Sequence, residues 1–550
     1  MTDHNNRVEQ MLDDKSFHIE FHGYLSNHAK HAVIALNGLG APAEDIAAYV
    51  EEYARTTYGF GLEPPKQSDI ELTEANWRDF LGKHEQFDSL YRFFEGRVED
   101  LGLEQTLKVY VPELLPGCVG ALLHGTIHLG WALDAGHRGM TIEGLAYLAF
   151  SYVSCYPDRA FSESKSPSVD RTPLDSMKRI AAEWDRDRRV LSSWVDDALN
   201  SPELSVAAGF QPVLEHTGAQ LHIARVLAEG HPLIHSTPFW LESADPEEVW
   251  EQLYYAVMLL YLSNPGDFVL LHLVTSLHAV EQIARHLPRD EQSRAIKCYW
   301  TAMLGVLFAL KAVPTKASIV ALHARYAESL DAPEGTSVTE NWMRTTERAL
   351  QEREEHNPKL VYVLRRLWAR FGHRSVYRIA AGHFTETPVI APDPVQSTGP
   401  RSIHRKLRGH AMNIDHIVLW VSDQKRSLDF FVNVVGLDPV RAQEFAEGGA
   451  GFPSVRVSKT AIIDLMDKSK APSVRKFTGG TDGAGGALVN HVCLSMNEAE
   501  YATLSARLVE HGQEPRQSGS GAFGAEGLAE SSAYFQDPDG NVLEMRYYRS

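Results

Sequence analysis

The stretch ALLHGTIHLGWAL at 121–133 holds two imidazoles, His124 and His128, in an otherwise almost wholly apolar run. Four residues apart, they project from one face of a helix. A lone histidine in such a setting is most often a core residue that hydrogen-bonds internally, whereas a metal site needs ligands from other elements as well. Candidates recur in three further segments. SNHAKHAVIALNGLGA carries His28 and His31, LLHLVTSLHAV carries His272 and His278, and EEHNPKL carries His356 three residues before Lys359. Separate helical segments thus each offer an imidazole, and one metal ion accounts for them more economically than a set of unrelated buried histidines. Pro358, between His356 and Lys359, favours the first turn of a helix and places that pair at a helix entrance.

These residues need elements to hold them. Up to about residue 386 the apolar residues recur at helical spacing, as in PEEVWEQLYYAVMLLYL and FVLLHLVTSLHAVEQIARHL, which predicts an all-helical domain over 1–386. The stretch 387–411 is rich in Pro and basic residues, lacks periodicity and reads as a linker. Beyond it the pattern changes. NIDHIVLWV and NHVCLSM read as strands, SLDFFVNVVG and EAEYATLSARLVEHG as helices, and FQDPDGNVLEMRYY as a strand pair around a DPDGN turn. The predicted architecture is therefore an all-α N-terminal domain followed by an α+β C-terminal domain, 412–550, in which the order strand, helix, strands occurs twice.

Composition narrows the function classes. A chain of 550 residues is too long for one core, and 44% hydrophobic with 23% charged residues is the balance of a globular protein. A net charge of −19, spread along the chain, argues against nucleic acid or an anionic membrane as the main partner. Cys118, Cys155, Cys298 and Cys493 form no CxxC pair, which points away from a disulfide framework or a thiolate zinc site and fits a reducing cytoplasm. The N-terminus has no apolar signal region, and no apolar stretch approaches the roughly 18 residues of a membrane span, so a cytoplasmic location is expected. GGTDGAGGALVNH is glycine-rich but leads into a strand, so it is not a dinucleotide fingerprint, and neither a GxSxG elbow nor a P-loop is present.

The doubled order of the C-terminal residues, with DHIVLWV opening one half, NHVCLSM the other and DPDGNVLEMRYY closing the chain, resembles the vicinal oxygen chelate superfamily. The resemblance covers about 412–550. It implies two βαβββ modules cupped around a divalent metal, Fe2+, Mn2+, Zn2+ or Ni2+, with ligands at His416, His491 and Glu544. Asp464 stands at the fourth-strand position, where a longer Glu or Gln is usual. Strand alternation adds Arg546 and Tyr548 to the face of Glu544, and Cys493 to that of His491.

Through the SNHxxHxxIALxxLGA, HGxIHLGWAL, LHxVTSLHAV and HxxK segments, residues 15–385 resemble the questin oxidase-like family. The resemblance implies a non-heme iron dioxygenase that opens an anthraquinone ring. Its metal would be bound by His28, His124, His272, His356 and Lys359, the lysine carboxylated by CO2. An ammonium has no lone pair to give a metal, so only that anionic form makes a ligand. Within the doublets, His31, His128 and His278 stay open as alternative ligands or as groups that orient them. His128 and His278 are the candidates for contact with substrate. The expectation is an oxygenase that cleaves a ring of an aromatic polyketide with O2, the C-terminal domain acting on the product or in a second step. A Baeyer–Villiger-type oxidase, or a self-resistance protein that sequesters a metabolite through its C-terminal domain, are the alternatives. A homodimer is left open, as is a role for NADPH.

Overall fold

The computed structural model describes residues 2–161, 170–207, 217–243, 246–352, 354–385, 413–432, 437–458, 461–470, 489–510, 514–519, 523–524, 527–536 and 542–548. The linker expected at 387–411 and the DPDGN turn lie outside the described residues. The chain divides into two compact units, Met1–Asp393 and Pro394–Ser550.

The first unit is a helical assembly in which five helices matter for the site. These are α1 (Ala29–Gly38), α2 (His124–Ala135), α3 (Arg138–Phe150), α4 (Phe268–Ala284) and α5 (His356–Arg370). Every residue of α4 from Leu270 to Ala284 is buried, polar ones such as His272, His278 and Glu281 included, as suits a helix with apolar residues on every face. Its first turn is capped by Asp267, whose carboxylate accepts from the amides of Val269 and Leu270 at 2.9 Å. Close approach of α2 to α4 depends on Gly130, where a Cβ would stand 2.3 Å from the Cα of Ala279. Gly144 does the same between α3 and α2, since its Cβ would lie 2.5 Å from the Cα of Leu129. Pro358 sits in the first turn of α5, where no intrahelical amide bond is owed.

Two departures from the helical expectation flank the site. Glu20–Phe21 pairs antiparallel with Leu25–Ser26, a short ribbon turned by His22 and Gly23 at positive φ. The apolar run at 121–133 is not one helix either: Ala121, Leu122 and Leu123 have φ of 48°, 51° and 70°, and α2 begins only at His124. Left-handed backbone at non-glycine residues costs roughly 1–2 kcal/mol each, and the tight packing around 121–123 holds it in place. No described helix is long and apolar enough to cross a membrane.

The second unit is built on an eight-stranded sheet. Its strands are β1 (Asn413–Val421), β2 (Asp438–Val440), β3 (Ser454–Ser458), β4 (Ala461–Asp467), β5 (Val489–Ser495), β6 (Arg516–Gly519), β7 (Ser531–Gln536) and β8 (Val542–Tyr547). Two helices, Gln424–Phe430 and Glu498–Glu510, follow β1 and β5. The spatial order is β2-β3-β4-β1-β5-β8-β7-β6. In each half the first strand pairs parallel with the last, β1 with β4 and β5 with β8, and the halves join through antiparallel β1 and β5. This is the doubled βαβββ order expected from sequence. It puts His416, Asp464, His491 and Glu544 on the four central strands.

Candidate metal centres

In the helical unit, four imidazoles form a closed circuit. Ring centroids are 4.6 Å apart for His28 and His124, 4.8 Å for His124 and His272, 4.8 Å for His272 and His356, and 4.6 Å for His356 and His28. His28 stands just before α1, His124 and His356 open α2 and α5, and His272 lies one turn into α4. All four are buried. One ligand atom each from His28, His124 and His356 lies within 4.8 Å of the others.

The hydrogen bonds fix which nitrogen faces inward. His124 Nδ1 lies 2.5 Å from the Ala121 carbonyl and His272 Nδ1 lies 2.7 Å from the Phe268 carbonyl. A carbonyl only accepts, so each Nδ1 carries the proton and each Nε2 keeps its lone pair. His356 Nδ1 donates likewise to Glu354 at 2.5 Å. The three Nε2 atoms are buried and have no hydrogen-bond partner. Buried lone pairs without partners, each with its opposite nitrogen anchored, are a donor set that could hold a metal ion. Burial, and then the nearby Lys359 charge, hold His28 and His124 well below the usual imidazole range, while burial and His124 do the same for His272. These rings are neutral at pH 7.

Lys359 is fully buried, with Nζ 2.6 Å from His28 Nδ1. Burial pulls its ammonium down to about 8, against the opposing charges of Glu355 and Glu354. A neutral amine is the form that reacts with CO2, so the setting fits a lysine open to carboxylation. A cavity of about 160 Å³ opens beside His28 and His124, and Tyr24, Ser26, Tyr58, Leu122 and Phe268 contribute to its wall. Tyr58 is a further residue at positive φ, so backbone strain occurs on two sides of this space.

The second member of each doublet goes elsewhere. His31 Nε2 and His128 Nδ1 are 3.1 Å apart, and His128 Nε2 faces Glu143 at 3.4 Å, which Lys30 also contacts at 2.7 Å. His278 Nε2 meets Asp134 at 3.2 Å, together with Tyr362 and Arg366. His128 and His278, expected to contact substrate, are absent from the cavity wall beside the circuit. For His278 the reason is geometric. Six residues from His272 turn a helix through about 600°, which leaves the two side chains about 120° apart. Sequence reading also missed Glu354, the anchor of His356, and Tyr53, whose hydroxyl accepts from the His28 amide at 3.1 Å.

In the sheet unit, His416 Nε2 and His491 Nε2 are 3.0 Å apart, and Glu544 Oε2 lies 3.0 Å from His491 Nε2 and 3.5 Å from His416 Nε2. Ligands bonded at about 2.1 Å and at right angles would be separated by about 3.0 Å, so the three atoms fit one divalent ion. Asp415 accepts from His416 Nδ1 at 2.7 Å, and Glu544 Oε1 takes Arg546 Nη2 at 2.5 Å. Burial pushes the Glu544 carboxyl up, but the His491 hydrogen bond and the Arg546 charge outweigh it and hold it at about 2. Arg546 and Cys493 thus do lie beside the triad, and Tyr548 reaches it through a hydrogen bond to Asp415. Asp464 instead accepts from Ser454 at 2.6 Å, its carboxyl raised by burial, and it does not join the group. The shorter side chain at that position accounts for this.

Comparison with known proteins agrees with this division. The family model described as Questin oxidase-like matches residues 25–364. The model described as Glyoxalase/Bleomycin resistance protein/Dioxygenase superfamily matches 413–545. No curated protein matches the chain. Among solved structures, a hypothetical protein from Bacillus halodurans C-125 is 19% identical, covering 26% of this chain and 96% of its own, with a TM-score of 0.18. A glyoxalase/dioxygenase from Nostoc punctiforme is 17% identical over 27% of this chain and 100% of its own, with a TM-score of 0.11. A protein titled Oxidase ChaP-H2 is 20% identical over 25% and 94%, with a TM-score of 0.10.

Proposed function

The chain belongs to the Questin oxidase-like family, matched over residues 25–364, and on that premise we propose that it is a non-heme iron oxygenase that cleaves a ring of an aromatic polyketide with O2. The observation that carries this reading is the closed circuit of four imidazoles with Lys359 at its edge. His28, His124, His272, His356 and carboxylated Lys359 would hold Fe2+. The ion, when bound, would supply a coordination position and electrons for O2. The chain supplies the rest. Ala121, Phe268 and Glu354 orient the ligand rings, and Tyr24, Tyr58 and Phe268 offer aromatic faces for a planar substrate in the adjoining cavity. His416, His491 and Glu544 would bind a second divalent ion, at which the C-terminal unit acts on the product or in a second step. The two units are proposed to be independent domains joined through 387–411.

Metal analysis of the full-length chain, prepared anaerobically with Fe2+ and bicarbonate, tests the reading. His124→Ala should lower iron affinity of the helical site more than about 100-fold, beyond the 10–100-fold cost typical of losing an outer partner. Lys359→Ala should be partly rescued by added acetate, which can fill the vacated anionic position. Unchanged iron in both variants would return the circuit to a structural role.

A further inference from the structure

We propose that the helical unit holds a second small-molecule site, a cleft beside its first helix that takes an uncharged molecule with an apolar body and a terminal hydroxyl. The cleft runs between the helices Thr2–Asp13 and Ala43–Thr56, and its two parts share Met11, Asp14, Phe17 and Val50. The outer part measures about 480 Å³, within the range that encloses a small organic ligand. The inner part, about 40 Å³, is the size of one polar head group and ends on Lys30, Glu143 and His128. Neither part shares a lining residue with the cavity beside His28 and His124, so the inference goes beyond the oxygenase reading and does not rest on it.

The outer wall is largely apolar, with Met11, Phe17, Ala47, Val50 and Ala54 contributing to it. The foot of the cleft is not. Lys30 Nζ donates to both Glu143 oxygens, at 2.8 and 2.7 Å, and the two side chains are only 14% and 10% exposed. An ammonium has three N–H groups, and among the described residues none accepts the third from Lys30. His128 is buried, and its Nε2 stands 3.4 Å from Glu143 without a proper hydrogen bond. A carboxylate only accepts, so that nitrogen carries the proton, and Nδ1 accepts from His31 Nε2 at 3.1 Å. A buried ion pair is a poor source of stability, because desolvation offsets its attraction. Stability alone therefore does not explain this group at the end of an apolar cleft.

Donors and acceptors at the foot set the ligand class. Lys30 and His128 each have an N–H to give, and Glu143 and Asp14 have oxygens to receive. One Asp14 oxygen takes the Ser16 amide at 2.8 Å, and the other takes no donor among the described residues. A hydroxyl satisfies both kinds at once, accepting from Lys30 or His128 and donating to a carboxylate. A carboxylate head accepts without donating, and it would meet Glu143, Asp14 and, further out, Glu51. An ammonium head donates without accepting, and it would meet the Lys30 charge. The uncharged hydroxyl is the head group that leaves no buried polar atom unpaired.

The test titrates the full-length chain with 2-naphthol, which is neutral at pH 7, and with 2-methoxynaphthalene and 2-naphthoate as comparison probes, binding being read by calorimetry. The wild type should bind 2-naphthol about tenfold more tightly than either comparison probe, the scale of one hydrogen bond to a charged group. Ala47→Trp puts a large side chain on an exposed position of the outer wall, so it should remove one equivalent of bound 2-naphthol with unchanged circular dichroism. Gln220→Trp, which narrows the cavity beside the circuit instead, should leave that equivalent in place. Removing Lys30 or Glu143 alone would strand a buried charge, so the two are exchanged together. Lys30→Met with Glu143→Leu replaces the pair by apolar chains, a change that buried pairs often tolerate, and the affinity for 2-naphthol should fall about tenfold, to that of 2-methoxynaphthalene. The site is overturned if 2-naphthol does not bind the wild type or if Ala47→Trp binds the same number of equivalents. The ligand class is overturned if 2-naphthoate binds as tightly as 2-naphthol or if the preference for the hydroxyl survives the double exchange.

Discussion

The two candidate centres solve the same electrostatic problem with opposite means. In the sheet unit the anionic ligand is ready made: Glu544 is ionised, held by Arg546, and within 3.0 Å of His491. In the helical unit the circuit consists of imidazoles with a buried lysine at its edge, so none of these groups is an anion, the nearby carboxylates being Glu354 and Glu355 beside His356, and an anionic ligand from Lys359 would require its uptake of CO2. Spacing does not separate them: the ring centroids of His416 and His491 are 5.1 Å apart, and neighbouring rings of the helical circuit 4.6 to 4.8 Å. The difference lies in the charge of the donors, and on the proposed reading the helical site would make its anionic ligand chemically.

The sharpest way to break this contrast is to remove CO2. In bicarbonate-free buffer, Glu544→Ala, which reports the helical site alone, should lose iron affinity by more than about 100-fold, beyond the cost of losing an outer partner. His124→Ala, which reports the sheet site alone, should be unaffected. Equal responses would dissolve the distinction.

A smaller effect is expected from the groups that aim the rings. Glu354→Gln weakens the acceptor of His356 Nδ1 and Asp415→Asn that of His416 Nδ1, so each should cost about tenfold in metal affinity at its own site and nothing at the other. His278→Ala should leave metal content unchanged. Its cost is the Asp134 contact, roughly 1–3 kcal/mol in thermal or urea unfolding.

The metal-free chain offers the mildest test, through pH. Glu544, lowered from 4.5 to about 2, binds fewer protons folded than unfolded between those values. Its contribution to stability is full above about pH 4.5 and is lost as pH falls toward 2. Lys359, lowered from 10.5 to about 8, also binds fewer protons in the folded state, so stability rises as pH climbs through that window. Urea unfolding should show Glu544→Gln flattening the acid limb and Lys359→Met the alkaline one. Persistence of both limbs in the variants would mean that other groups set them.

Much of this molecule was legible in its residue pattern. Periods of 3.6 and 2 are local properties of a chain, so the helical half, the doubled strand order and the strand positions of His416, His491 and Glu544 could be read without coordinates. So could the helix entrance at His356, because the first turn is the place in a helix that favours Pro358. The angle of about 120° that separates His278 from His272 was equally available, and counting residues around the helix would have excluded it from the circuit.

What the sequence could not decide is which donor of a pair faces its neighbours. His28 and His31, or His124 and His128, share a helix face, and the choice between them falls to the crossing of α1, α2 and α4, set by contacts such as Gly130 against Ala279. The left-handed turn at 121–123 that aims His124 is held by packing against local preference. The Lys30–Glu143 pair at the foot of the second cleft joins residues 113 positions apart. Sequence fixes which side chains a helix or strand presents, because that depends on neighbours along the chain. Only the tertiary structure decides which lone pairs converge, because that depends on neighbours across it.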